Sequence, residues 1–120
     1  MSADEVLARL ELEEESAPLA IALRARALAH AHVEQLDLAV EAISAALELD
    51  VPEDDVAGGV EMTAGALMVW AGSTESGLSL LQSAALREAT RSQAGVQLGA
   101  SLYRLGRFSE ALDALESARA

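Results

Sequence analysis

The sequence predicts an all-α protein, arranged as three successive pairs of antiparallel helices behind a short leading helix. Three observations carry this expectation. First, 52% of the 120 residues are hydrophobic, and alanine supplies much of that share. Alanine is the best helix former, and its small side chain lets neighbouring helices approach closely. Second, the aromatics are confined to Trp70, Tyr103 and Phe108, and runs of β-branched residues that would favour strands are few. Third, Gly65, Gly72, Gly77, Leu81 and Ala84 return 34 residues later as Gly99, Gly106, Ala111, Leu115 and Ala118. A fixed period of this length marks a stack of helical repeats, an α-solenoid.

The elements follow in order. Ser2-Ala-Asp-Glu5 reads as a capping box ahead of Val6, Leu7 and Leu10, so residues 1–16 hold a short helix frayed by Glu13, Glu14 and Glu15. The repeat domain spans residues 17–120, in units of about 17–50, 54–88 and 92–119. Its first pair is expected over Ala17–Val33 and Asp37–Leu49, with Pro18 in the first turn, where its missing N–H is harmless. Here Ala27, Leu36, Ala39, Ile43 and Ala46 precede the second unit's pattern by 38 residues rather than 34. The four extra residues fall in the acidic linker Asp50–Val56. The second pair is expected over Asp54–Ala71 and Thr74–Glu88, with Gly58 and Gly59 weakening its start. The third runs over Ser92–Leu105 and Ser109–Ala118. Gly106 stops its first helix and Ser109 caps its second. Gly99, Ala111 and Ala118 fall where these two helices must come together.

Small residues at 99, 111 and 118, glycine at 106 and an aromatic at 108 resemble the tetratricopeptide repeat. The resemblance covers about Ala17 to Arg119 and departs in places. Glu61 and Gly95 replace a usual large residue, Arg26 and His30 replace apolar ones, and Glu34 stands where the turn glycine belongs. It implies a concave groove lined by the first helices of the pairs, which binds a protein or peptide segment. The positions carried over are Ile21, Arg24, Leu28, Ala31 and His32, then Gly59, Met62, Ala66, Val69 and Trp70, then Gln93, Val96, Ala100, Tyr103 and Arg104. Among these, Arg24 and Arg104 are the candidates to pair a carboxylate on the bound segment. Trp70 and Tyr103 are the candidate anchors. Chaperone C-terminal tails are not the expected ligand, because only Arg24 matches the basic and asparagine positions that grip them.

Charge narrows the partners. Twenty acidic residues stand against eight arginines and no lysine, a formal net charge of -12. Such a chain is unsuited to nucleic acid, which requires cations along its phosphates, or to anionic lipid. Residues 1–60 carry 14 acids and 3 arginines, while residues 61–120 carry 6 and 5. There is no cysteine, and the N-terminus lacks the basic-then-apolar pattern of a secretory signal, so a cytoplasmic setting is expected.

Chemistry is not expected. His30 and His32 point about 200° apart on a helix and cannot share a metal. Gly58-Gly59 lacks the lysine of a phosphate-binding loop, and Gly72–Gly77 has the wrong spacing for a nucleophile elbow. Asp50–Asp55 lacks the glycine and ligand spacing of a calcium loop. The expectation is a binding scaffold with no cofactor, no metal and no catalysis. Leu112 and Leu115 lie on the last helix with nothing after them to cap the stack. That suggests an end-face contact with a second copy, a homodimer, or a place within a larger protein. The alanine- and arginine-rich, lysine-free composition resembles bacterial repeat proteins that precede a CHAT protease or a transcriptional-regulator domain.

Overall fold

The structure is a computed structural model that describes Ser2, Ala3 and residues 16–119. The described residues are helical. Six α-helices follow one another: α1 Ser16–His32, α2 Leu36–Leu47, α3 Asp54–Trp70, α4 Thr74–Leu86, α5 Arg91–Arg104 and α6 Phe108–Arg119. A 3-10 turn, Glu88–Thr90, leads into α5. The bounds fall within two residues of those expected from sequence. One local reading changes: α6 begins at Phe108, so Ser109 lies inside its first turn. Gly58 and Gly59 are buried within α3. Apart from Ser2 and Ala3, the expected leading helix lies outside the described residues.

The helices pack in neighbouring pairs, α1 on α2, α3 on α4 and α5 on α6. The pairs also touch one another, through α2 with α3, α4 with α5, and α3 with both α1 and α5. Close approaches run in opposite senses along each of the last two pairs. Gly95 faces Ala118 while Gly99 faces Leu115, and Glu61 meets Ser83 while Gly65 meets Gly77. These pairs are therefore antiparallel. The principal extents are 56 × 31 × 19 Å.

One turn closes the first helix of every pair. Gln35 N–H donates to the His30 carbonyl at 2.8 Å, Ser73 to Met68 at 2.8 Å, and Arg107 to Leu102 at 2.9 Å. Before each donor stands a residue of positive φ: Glu34 at 61°, Gly72 at 99° and Gly106 at 79°. This is the Schellman arrangement, which satisfies the last carbonyls of a helix by turning the chain left-handed for one residue. Glycine does so freely, whereas Glu34 carries a Cβ that crowds the following carbonyl. Glu34→Gly is expected to stabilise the protein by about 0.5–1 kcal/mol, the relief of strain exceeding the added freedom of the unfolded chain. A thermal melt that shows no rise in midpoint would contradict this.

The core has two halves. One joins Ala20 and Ala27 of α1, Ala39, Ile43 and Ala46 of α2, and Val60, Ala64 and Leu67 of α3. The other joins Met62 of α3, Leu78, Leu81 and Ala84 of α4, Ala94, Leu98 and Leu102 of α5, and Ala111 of α6. Helix α3 contributes to both, so it is the spine of the stack. Ile43 and Leu81 are the largest fully buried side chains. The remaining interior is largely alanine, and close helix approach replaces bulk as the means of excluding water.

Polar ties reinforce the second pair and its junctions. Arg87 donates from Nε to Glu61 at 2.6 Å and from Nη1 to Asp54 at 2.9 Å, and Ser83 donates to the other Glu61 oxygen at 2.7 Å. Glu61, in place of a large apolar residue, thus spends its carboxylate inside the fold. The Arg87 hydrogen bond, helped by the Ala89 backbone N–H, holds the Asp54 carboxyl below its ordinary pKa. Arg107 bonds Glu110 and Glu75 at 2.7 and 2.9 Å, tying the start of α6 to α4 and lowering the Glu110 pKa.

Candidate functional site

The first helices of the three pairs enclose a cleft of about 880 Å3. From α1 it takes Arg24, Leu28, Ala31 and His32; from α3, Thr63, Ala66, Leu67, Val69 and Trp70; from α5, Gln97, Ser101 and Arg104, with Leu105 just beyond. Its lining combines apolar side chains, Leu28, Leu67, Val69 and Leu105 among them, with Arg24 and Arg104. No aspartate or glutamate is among the described residues that line it, although the chain carries twenty.

Among the described arginines, Arg87 and Arg107 each bind two carboxylates, whereas Arg24, Arg26, Arg91, Arg104 and Arg119 bind none of the described ones. Arg24 instead lies across α3 at Gly59 and donates from Nε to the Thr63 hydroxyl at 2.8 Å, a neutral partner. Arg104 pairs with none of the described carboxylates. In an acid-rich chain, two guanidiniums beside a cleft with no carboxylate among its described lining residues make a local site for an anion. Trp70 stands at the rim, exposed, with its indole available to an incoming apolar group.

Eight of the fifteen groove positions expected from sequence line this cleft: Arg24, Leu28, Ala31, His32, Ala66, Val69, Trp70 and Arg104. Ile21, Gly59, Met62, Gln93, Val96, Ala100 and Tyr103 do not. Met62 is only 5% exposed and belongs to the core beside Leu78 and Leu81. Val96 and Tyr103 are exposed on α5 but outside the cleft, and the Tyr103 ring packs on Phe108 with centroids 5.5 Å apart. Sequence reasoning missed Thr63, Leu67, Gln97, Ser101 and Leu105. The signal was present in the 34-residue register: Gln97 and Ser101 are the counterparts of Thr63 and Leu67, one position after the register used for the groove. One residue along a helix is a rotation of about 100°. On α5 that rotation moves the lining row from Val96 and Ala100 to Gln97 and Ser101.

A smaller cleft of about 470 Å3 lies between α4, α5 and α6, floored by Gly95, Leu98 and Leu102 and rimmed by Arg91, Glu110 and Asp113. Its rim mixes both charges around an apolar floor, so it offers no focused polar recognition. Among the described residues there is no group of three or more metal-ligating side chains, and no helix is long and apolar enough to cross a membrane. His30 shares a hydrogen bond with Gln35 at 2.9 Å, within the turn that follows α1.

No protein-family model matches the chain, and no curated protein matches it in sequence.

Proposed function

We propose that the protein is a three-unit helical-repeat scaffold of the tetratricopeptide type. In this reading it binds a protein segment in the cleft formed by α1, α3 and α5 and carries out no chemistry. The bound segment carries a carboxylate together with apolar side chains. What supports the repeat is the turn that recurs after each first helix and the contacts of α3 with α1 and α5. The observation that carries the binding role is the cleft itself, with Arg24 and Arg104 in its lining, Trp70 at its rim and no acid among its described lining residues. The apolar lining contributes affinity through area, while the arginines set direction and reject basic segments.

Selection from a random peptide display library tests this reading. The wild-type protein is expected to enrich segments with aspartate, glutamate or a free C-terminal carboxylate beside leucine, isoleucine or phenylalanine. Each lost charge-assisted contact costs about 1.5–3 kcal/mol, so Arg24→Glu with Arg104→Glu should weaken a selected peptide by about 100-fold or more. An unchanged affinity in that variant, or enrichment of lysine-rich peptides by the wild type, would overturn it.

A further inference from the structure

The outer face of the last helix pair has an internal counterpart that shows what it is built to do. Shifted by 34 residues, Met62, Val69, Leu78 and Leu81 become Val96, Tyr103, Leu112 and Leu115. In the second pair Met62, Leu78 and Leu81 are 5, 3 and 0% exposed, because α5 and its neighbours cover them. In the third pair Val96, Leu112 and Leu115 are 53, 60 and 38% exposed. The face is continuous. Leu115 lies over Gly99, between the two helices, and Tyr103 packs on Phe108, which stands one turn before Leu112 on α6. The last pair therefore presents to solvent the same apolar surface that the second pair buries.

We infer that this face joins two copies of the chain about a twofold axis through α5 and α6. Three features select a second copy in that orientation. The first is the far end of the stack. The row that seals a pair against its predecessor is Leu98 and Leu102 on α5 and Ala64 and Met68 on α3. On α1 the corresponding residues are Arg26 and His30. Among the described residues, head-to-tail stacking would press this arginine and histidine against exposed leucines, a costly burial. The apolar face is better matched by its own copy, an isologous contact.

Charge is the second feature. Residues 91–119 hold four arginines and three carboxylates, whereas residues 16–60 hold 8 acids and 2 arginines. A near-neutral face has little to attract a charged foreign partner. Pairing through it leaves the two acidic halves at opposite ends of a particle whose single copy is already 56 Å long. That separation greatly exceeds the screening length of about 8 Å at physiological salt. Area is the third. Two helices of some 12 residues form a face about 18 Å long and 20 Å wide, on the order of 600 Å2 of accessible surface per copy, the lower edge for a stable dimer.

Sedimentation and light scattering supply the test. Wild-type protein is expected at twice the chain mass at about 100 µM, dissociating in the micromolar range that suits an interface of this size. Tyr103→Glu with Leu112→Glu, both on exposed side chains, should raise the dimer dissociation constant by about 100-fold or more with helical circular dichroism unchanged. Because the chain has no cysteine, Leu112→Cys gives a second reading that leaves the face apolar. It should form a disulfide-linked dimer rapidly, while Ile21→Cys on α1 should not. The cleft variant Arg24→Glu with Arg104→Glu should still dimerise, which separates this inference from the binding role. Monomeric wild type at 100 µM, an open series of larger species, an unaffected charge variant, or preferential linkage through Ile21→Cys would each overturn it.

Discussion

Gly65→Ala costs about 2–3 kcal/mol, while Gly99→Ala, the same position one repeat later, changes stability by less than about 0.5 kcal/mol. A Cβ on Gly65 would stand 2.7 Å from the Gly77 carbonyl oxygen, 2.8 Å from Leu81 Cγ and 3.1 Å from the Leu81 nitrogen. Two of these are backbone atoms of α4, so relief requires α3 and α4 to separate along the centre of the core. A Cβ on Gly99 meets Leu115 Cγ and Cδ2 at 2.6 and 2.7 Å, and the Ala111 carbonyl only at an ordinary 3.4 Å. Leu115 is partly in solvent and can swing aside. The gain in helix propensity from glycine to alanine, about 1 kcal/mol, then offsets the adjustment. Urea unfolding of the two variants side by side checks the contrast, and equal losses would show that the two pairs are packed alike.

Leu81→Ala is expected to cost about 3–4 kcal/mol, and its counterpart Leu115→Ala less than about 1.5 kcal/mol. Leu81 is fully buried between α3 and the last pair, among Met62, Leu78, Leu98 and Leu102. These neighbours are already packed on one another and refill the vacated space only in part, so the cost of a cavity adds to the lost transfer energy. Leu115 has solvent on one side and leaves no enclosed void. Measured on dilute protein to keep self-association out of the comparison, the two midpoints should differ by several degrees. A Leu115→Ala loss as large as that of Leu81→Ala would mean that its face is covered even in the single chain.

Both contrasts bear on what was legible beforehand. The helices were, because each carries its own stop and start: Gly72 and Gly106 take the positive φ that ends α3 and α5, and apolar residues recur at helical spacing. The end of α4 was less so. The sequence reads as helix through Glu88, yet Arg87 has ψ of 132° and the chain enters a 3-10 turn. The Arg87 side chain reaches back to Glu61 and Asp54 on α3, a contact 26 and 33 residues away that no local pattern encodes. Part of the candidate cleft was equally opaque: five of its thirteen lining residues were not anticipated. Met62, Val96 and Tyr103 fit an expected face, but helix packing turns Thr63, Gln97 and Ser101 into the cleft instead.

The sequence by itself determined the helical class, the order and bounds of the six helices, the 34-residue equivalence of the last two pairs and the acidic first half. These are set by local propensity, turn chemistry and composition, which act over a few residues. Only the tertiary structure decided which residues share the cleft, that its arginines pair with none of the described carboxylates, and that Val96, Tyr103, Leu112 and Leu115 lie exposed where their counterparts are largely covered. Those outcomes depend on how helices rotate and close on one another. A rotation of one residue, about 100°, exchanges a core methionine for a lining threonine while the sequence pattern is unchanged.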